Sequence, residues 1–132
     1  MKSKISIALV IAFGLSVCAA FADSHEQTVV IWKCKLNEGK TAADVQAVNA
    51  KWLKHVNANA EGGEIRSYVL STIVGDSETF LYVDSFPSGE AWVASRAAMK
   101  SEEGKALNKE FDEVAKCSSN SLYDAEQTVA AD

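Results

Sequence analysis

The feature that most constrains the fold is the order in which strand-like and helix-like patterns follow one another. The segment VVIWKCKL at residues 29–36 starts with β-branched residues and then alternates, which predicts a strand with one apolar face. Residues 41–59 carry valines and a tryptophan at helical spacing, and Thr41 is spaced from Asp44 as in a variant of the capping box. The folded region is therefore predicted to begin with a strand and a helix.

The remaining patterns add a hairpin, a long helical region and a last strand. Residues 64–74 and 79–86 are rich in β-branched and aromatic residues and flank a short turn, which predicts a β-hairpin. A helical region is predicted over residues 88–115, with a kink and restart at the SEEG segment (101–104), because serine caps helices and glycine weakens them. A short polar strand is predicted at 119–126.

The resulting β-α-β-β-α-β order is typical of ferredoxin-like folds. We therefore expect an α+β domain in which a four-stranded antiparallel sheet carries two helices on one face. Two helices cannot cover both faces of such a sheet, and the other face also carries large residues. A second copy of the chain is the expected cover, which predicts a homodimer formed through the sheet face.

Residues 1–22 have the three parts of a cleavable signal peptide. Two lysines precede an apolar run, and the run ends in an Ala-Phe-Ala tripeptide that suits signal peptidase. The apolar run is shorter than the roughly 20 residues that a bilayer requires, so we expect cleavage and not a membrane anchor. Lipidation at Cys18 is the alternative. The expected location of the mature chain is the periplasm or the cell exterior.

Cleavage would leave a single domain at residues 23–132, with an ordered core at about 28–126. The chain is acidic, with a formal net charge of −5, and it has no cluster of lysines or arginines. Acidic domains are poor nucleic-acid binders, and a membrane-surface patch would need clustered basic residues. Neither nucleic acid nor a membrane is therefore expected as a partner.

Cys34 and Cys117 are the two cysteines that remain after cleavage. An even pair in an oxidising compartment predicts a disulfide, while a metal site or a reactive thiol are the alternatives. A metal site would need more cysteines or histidines nearby, so none is expected. In the predicted topology the first and last strands are antiparallel neighbours, which brings the two cysteines together.

With this order of elements, the strand FLYVDSF running into PSGEAW, and SEEGKAL further along, resemble the dimeric α/β-barrel superfamily. That group includes antibiotic-biosynthesis monooxygenase-like and NIPSNAP-like domains, and the resemblance covers residues 28–126. It implies that two sheets pack face to face as a barrel with the helices outside. Some members oxidise polycyclic aromatics without a cofactor, and others degrade haem. The haem-degrading members use a histidine on the second helix and an asparagine on the first strand. The helical region 88–115 has no histidine and the first strand has no asparagine, so haem chemistry is not expected. No other cofactor is expected either.

Two polar residues of the first helix are candidate ligand-binding residues. His55 lies at the margin of the apolar stripe and would suit a general base near neutral pH, although a solvated or backbone-bonded histidine is the simpler interpretation. Asn49 lies inside the apolar stripe and needs a partner there, which is either a structural hydrogen bond or a ligand.

Four polar residues of the predicted hairpin complete the candidate site: Arg66, Tyr68, Tyr82 and Asp84. An arginine and an aspartate on adjacent strands most often form a cross-strand ion pair, and with two tyrosines nearby they would also suit a pocket for a small aromatic ligand. The three tryptophans are expected to belong to the core.

No catalytic triad, phosphate-binding loop or CxxC motif is present in the sequence, so the common nucleophilic, nucleotide and redox-thiol chemistries are not expected. Two functional interpretations follow. The preferred one is a non-catalytic dimeric module that binds a small ligand or a protein. The alternative is a cofactor-independent monooxygenase-like enzyme acting on a small aromatic substrate. A cavity lined by Asn49, His55 and Tyr82 would favour the enzyme, and a core closed by the tryptophans would favour the binding module.

Overall fold

The computed structural model describes residues 26–128 and 130. Its elements are β1 (Gln27–Leu36), α1 (Ala42–Asn59), β2 (Arg66–Ser71), β3 (Phe80–Phe86), α2 (Gly89–Ala98), α3 (Glu102–Val114) and β4 (Ala115–Ala125). The predicted ferredoxin-like order is confirmed, with the second helical region divided into α2 and α3. The predicted signal peptide and Cys18 lie outside the described residues. Among the helices that are described, none is both long and apolar enough to cross a membrane.

Strand β1 is at the centre of the hydrogen-bonded network. The sheet order is β2-β3-β1-β4, and all neighbouring strands are antiparallel. Val30 of β1 lies opposite Asp84 of β3 on one side and opposite Leu122 of β4 on the other. Because β1 is paired along both edges, its alternation fixes which residues of its neighbours face the helices.

Helix α1 begins where the sequence predicts it. The Thr41 side chain accepts a hydrogen bond from the Asp44 backbone N–H, and the Asp44 carboxylate accepts one from the Thr41 N–H at 2.8 Å. These reciprocal bonds satisfy two of the backbone donors that the first helical turn leaves unpaired. The valines of the apolar stripe, among them Val45 and Val56, are buried against the sheet.

The break between α2 and α3 lies at the predicted position. Ser101 caps α3 by accepting a hydrogen bond from the Gly104 N–H at 3.1 Å. The role of Gly104 differs from the expectation, because a Cβ atom at this position would lie only 2.5 Å from the Met99 Cα atom. The glycine therefore allows the first turn of α3 to pack directly on the backbone that ends α2.

The last strand starts earlier than the sequence predicts and contains Cys117 within it. Cys34 and Cys117 lie opposite each other in the β1–β4 register and form a disulfide. The polar sequence of β4 gave no hydrophobic signal for its first residues. The strand forms there because the edge of β1 offers a continuous row of backbone partners.

All three helices cover the same face of the sheet, and the other face is open. On the open face, Val29, Ile31 and Val83 are only partly buried, and Tyr68 and Leu70 are exposed. The sheet therefore presents a continuous group of apolar side chains that no described helix covers.

Candidate functional site

A cavity of about 510 Å³ lies between the helices and the covered face of the sheet. Its aromatic lining consists of Trp32, Trp52, Tyr82, Phe86, Trp92 and Phe111. The three tryptophans pack against the core clusters, as expected, and they also line this space. A cavity of this size, with several aromatic rings and with polar groups in its wall, is typical of small-molecule sites.

The polar groups of the cavity form a chain of hydrogen bonds that crosses from α1 to β3. Asn49 donates from Nδ2 to the Ser67 hydroxyl at 2.9 Å, and the Ser67 hydroxyl donates to Asp84 Oδ1 at 2.6 Å. Asn49 and Asp84 are both buried and both line the cavity. The structure thus brings together two of the predicted site residues through Ser67, which the sequence analysis did not single out.

Asp84 is 7% exposed, and its carboxyl group is held in an environment that disfavours charge. Burial raises its pKa to about 6, although the hydrogen bond from Ser67 and the side chain of Trp32 favour the charged form. A carboxyl group with such a pKa, in an aromatic cavity, changes its charge just below neutral pH. This property is frequent at binding and catalytic sites.

Tyr82 contributes a buried hydroxyl group to the cavity wall. The residue is 5% exposed, and its oxygen forms no hydrogen bond with any of the described residues. Burial and the nearby Asp84 carboxylate raise the pKa of Tyr82, so its hydroxyl stays protonated and can donate. Buried hydroxyl groups are normally paired, so this atom is a natural contact for a ligand oxygen.

His55 lies outside the cavity, contrary to the expected grouping with Asn49 and Tyr82. Its ring is buried between α1 and the α2–α3 junction, where Nε2 lies 3.1 Å from the Ala98 carbonyl oxygen. Its Nδ1 lies 3.3 Å from the Glu103 carboxylate. The contacts with backbone and side chains support the structural interpretation of this histidine.

Arg66 and Tyr68 also lie away from the cavity, on the open face of the sheet. Arg66 is paired in register with Ser85, whereas Ser67 is paired with Asp84. The expected ion pair between Arg66 and Asp84 is therefore wrong, and the Arg66 guanidinium is instead 3.6 Å from Glu64. A register that differs by one residue reverses the face of every side chain on the strand.

Comparisons with solved structures show that several proteins share this fold. SnoaB, a cofactor-independent oxygenase from Streptomyces nogalater, superposes with a TM-score of 0.60 at 12% identity, over 80% of this chain and 99% of that chain. A NIPSNAP family protein of unknown function from Agrobacterium tumefaciens superposes with a TM-score of 0.59 at 14% identity, over 80% and 93% of the two chains.

A putative antibiotic biosynthesis monooxygenase from Chloroflexus aurantiacus has the same fold, with a TM-score of 0.54 at 10% identity over 79% of this chain and 97% of that chain. No protein-family model and no curated protein sequence matches the chain. The predicted resemblance to monooxygenase-like and NIPSNAP-like domains is thus confirmed as a resemblance of fold.

The raised pKa of Asp84 predicts how stability changes with pH. The pKa of Asp84 in the folded protein, about 6, exceeds the ordinary value of 3.8. Its contribution to the free energy of unfolding is therefore most favourable below pH 3.8 and is lost as the pH rises through 6. We expect Asp84→Asn, which keeps an acceptor for Ser67, to raise the free energy of unfolding at pH 7 by up to about 2–3 kcal/mol and to have little effect at pH 4. Urea unfolding at both pH values measures this difference.

The matched control is Asp112→Asn, since Asp112 also lines the cavity but is exposed. Asp112→Asn should not raise the free energy of unfolding by a comparable amount at either pH. An equal gain for Asp84→Asn at pH 4 and pH 7 would contradict the assignment of the pH dependence to this carboxyl group.

Proposed function

We propose that this protein binds a small aromatic molecule that carries an oxygen atom, in the cavity between the helices and the sheet. The observation that carries the proposal is the unpartnered Tyr82 hydroxyl, buried in the wall of a 510 Å³ aromatic cavity. A ligand oxygen would accept a hydrogen bond from this hydroxyl, while the surrounding indole rings would cover the apolar part of the ligand.

The proposal predicts that the protein distinguishes two probes which differ by one hydroxyl group. We expect 1-naphthol to bind about fivefold more tightly than naphthalene, because one net hydrogen bond is worth about 1 kcal/mol. In Tyr82→Phe this preference should vanish, while naphthalene should bind as in the wild type. Equilibrium dialysis measures both affinities.

Tyr68→Phe is the matched control, because it removes the same hydroxyl group from an exposed tyrosine on the open face. It should keep the wild-type preference for 1-naphthol. If neither probe binds at concentrations up to its solubility, the proposed function is wrong.

A second candidate function is cofactor-independent oxygenation of a hydroxylated aromatic substrate. The observation that favours it is Asp84, which at neutral pH is an ionised carboxylate in an aromatic cavity and could take up a phenolic proton from a bound substrate. The phenolate left behind would be the electron-rich species that reacts with dioxygen. His55 has no part in this scheme, because it lies outside the cavity.

Oxygen uptake separates the binding module from the enzyme. If the second candidate is right, a dihydroxynaphthalene should be oxidised with a rate that rises as the pH passes through 6, where Asp84 becomes ionised. Asp84→Asn should abolish this rate, and Asp112→Asn should retain it. Binding of 1-naphthol without any protein-dependent oxygen uptake from dihydroxynaphthalenes would leave the binding module as the function.

We further infer that the protein is exported and forms a homodimer through its open sheet face. The disulfide between Cys34 and Cys117 supports export, because such bonds persist in oxidising compartments. The partly buried Ile31 and Val83, together with exposed neighbours, support a second copy as the cover of that face.

N-terminal sequencing of the secreted protein tests export, and light scattering tests the dimer. The secreted chain should begin near Asp23 by N-terminal sequencing and should have the mass of a dimer. Ile31→Glu should halve that mass, because it puts a charge into the centre of the apolar face. Val93→Glu alters an exposed apolar residue of α2 and should remain dimeric. A wild-type monomer at micromolar concentration would contradict the dimer.

A further inference from the structure

The cavity holds a buried carboxylate, Asp84, that has no counter-ion within residues 26–128. Asp84 accepts a hydrogen bond from Ser67, and Ser67 in turn accepts one from Asn49, so this chain of bonds consists of neutral donors. Within the part of the chain that the structure describes, no lysine, arginine or histidine forms an ion pair with Asp84. A buried carboxylate is normally paired with a cation, which makes this site unusual.

The other charged groups around Asp84 do not supply the missing cation. Arg66 is on the opposite face of the sheet, and His55 on α1 faces the α2–α3 junction. From the helices above the cavity come Arg96 of α2 and Asp112 of α3, which are both exposed and opposite in charge. Solvent screens such exposed charges, so they leave the charge of Asp84 largely uncompensated.

The aromatic lining adds a second preference for positive charge. The indole rings of Trp32, Trp52 and Trp92 come from β1, α1 and α2, and all three line the space next to Asp84. Tryptophan is the best side chain for cation–π contacts, and aromatic cavities with several such rings recognise substituted ammonium groups. One buried carboxylate and three tryptophans in a single cavity therefore favour the same kind of ligand.

We propose that the ligand of this cavity is an organic cation, an aromatic or alkyl-substituted ammonium whose charge lies against Asp84 and the three indole rings. This inference rests on the proposed function and deepens it by naming the ligand class. The ligand's oxygen would contact Tyr82, its apolar part would fill the remaining cavity, and its ammonium group would supply the charge that Asp84 lacks.

A pH dependence follows from the same contact. A bound cation stabilises the ionised form of Asp84, so affinity for the cation is full well above pH 6 and decreases as the carboxyl group takes up a proton near and below pH 6. At pH 5 we expect the cation to bind about tenfold more weakly than at pH 7.5. A neutral ligand of the same shape gains nothing from the charge of Asp84, so its affinity should not fall between pH 7.5 and pH 5.

The test uses two probes that differ in charge but have nearly the same shape: 4-(trimethylammonio)benzyl alcohol and 4-tert-butylbenzyl alcohol. Isothermal titration calorimetry on the wild-type protein at pH 7.5 should show at least about tenfold tighter binding of the cation. Asp84→Asn should remove this preference, and Asp112→Asn should keep it. Near-ultraviolet circular dichroism checks that each variant is folded, and the wild-type pH profile supplies a second test without any substitution.

The outcomes separate this inference from the proposed function. If the neutral alcohol binds as tightly as the cation, or if the preference does not fall at pH 5, the cation inference is overturned while ligand binding stands. The cation inference is also overturned, and ligand binding also stands, if 1-naphthol binds and neither benzyl alcohol does. If none of these probes binds, including 1-naphthol, the proposed function itself fails.

Discussion

The structure depends on the pairing of β1 along both of its edges. Antiparallel pairing with β3 and β4 sets the register of the central strands, and register determines which side chains face the helices. Val30, Trp32 and Cys34 all lie on that face, so one strand contributes to both core clusters, the cavity wall and the disulfide. A shift of one residue in β1 would move all of these features to the open face.

The cavity exists because large aromatic side chains surround a region that they do not fill. The side chains of Trp52, Trp92 and Phe111 approach from three different helices, and Trp32 and Tyr82 approach from the sheet. Tyr82 makes edge-to-face contacts with Phe80 and Phe111, which fix its ring while its hydroxyl stays unpaired. Rigid rings around an unpaired polar atom are a suitable arrangement for recognising a ligand, because little side-chain entropy is lost on binding.

Local sequence signals predicted the elements well. The capping box at Thr41, the cap at Ser101 and the helix break before Gly104 were found where the residue types indicated, since caps depend on neighbours within one turn. The six candidate site residues do not all lie together in the structure. Asn49, Tyr82 and Asp84 line the cavity, whereas His55, Arg66 and Tyr68 lie elsewhere.

Two features of the tertiary structure place His55, Arg66 and Tyr68 outside the cavity. Whether Arg66 or Ser67 meets Asp84 depends on the register between β2 and β3, and the hairpin sequence does not fix that register. Ser67 lies between Arg66 and Tyr68 in the strand and therefore faces the opposite side of the sheet. With the register known, this alternation would have identified Ser67 as the neighbour of Asp84. The direction of His55 depends on the packing of α1 against the α2–α3 junction, which involves residues more than 40 positions away.

The sequence by itself determined the order of the elements, the positions of the helix caps and the pair of cysteines that can be joined, because these depend on local patterns and on topology. Only the tertiary structure decided that the three tryptophans enclose a cavity, and that among the described residues Asp84 has no counter-ion and the Tyr82 hydroxyl has no hydrogen-bond partner. These properties depend on how distant elements pack and on which polar atoms find partners, and neither is encoded in the spacing of residues along the chain.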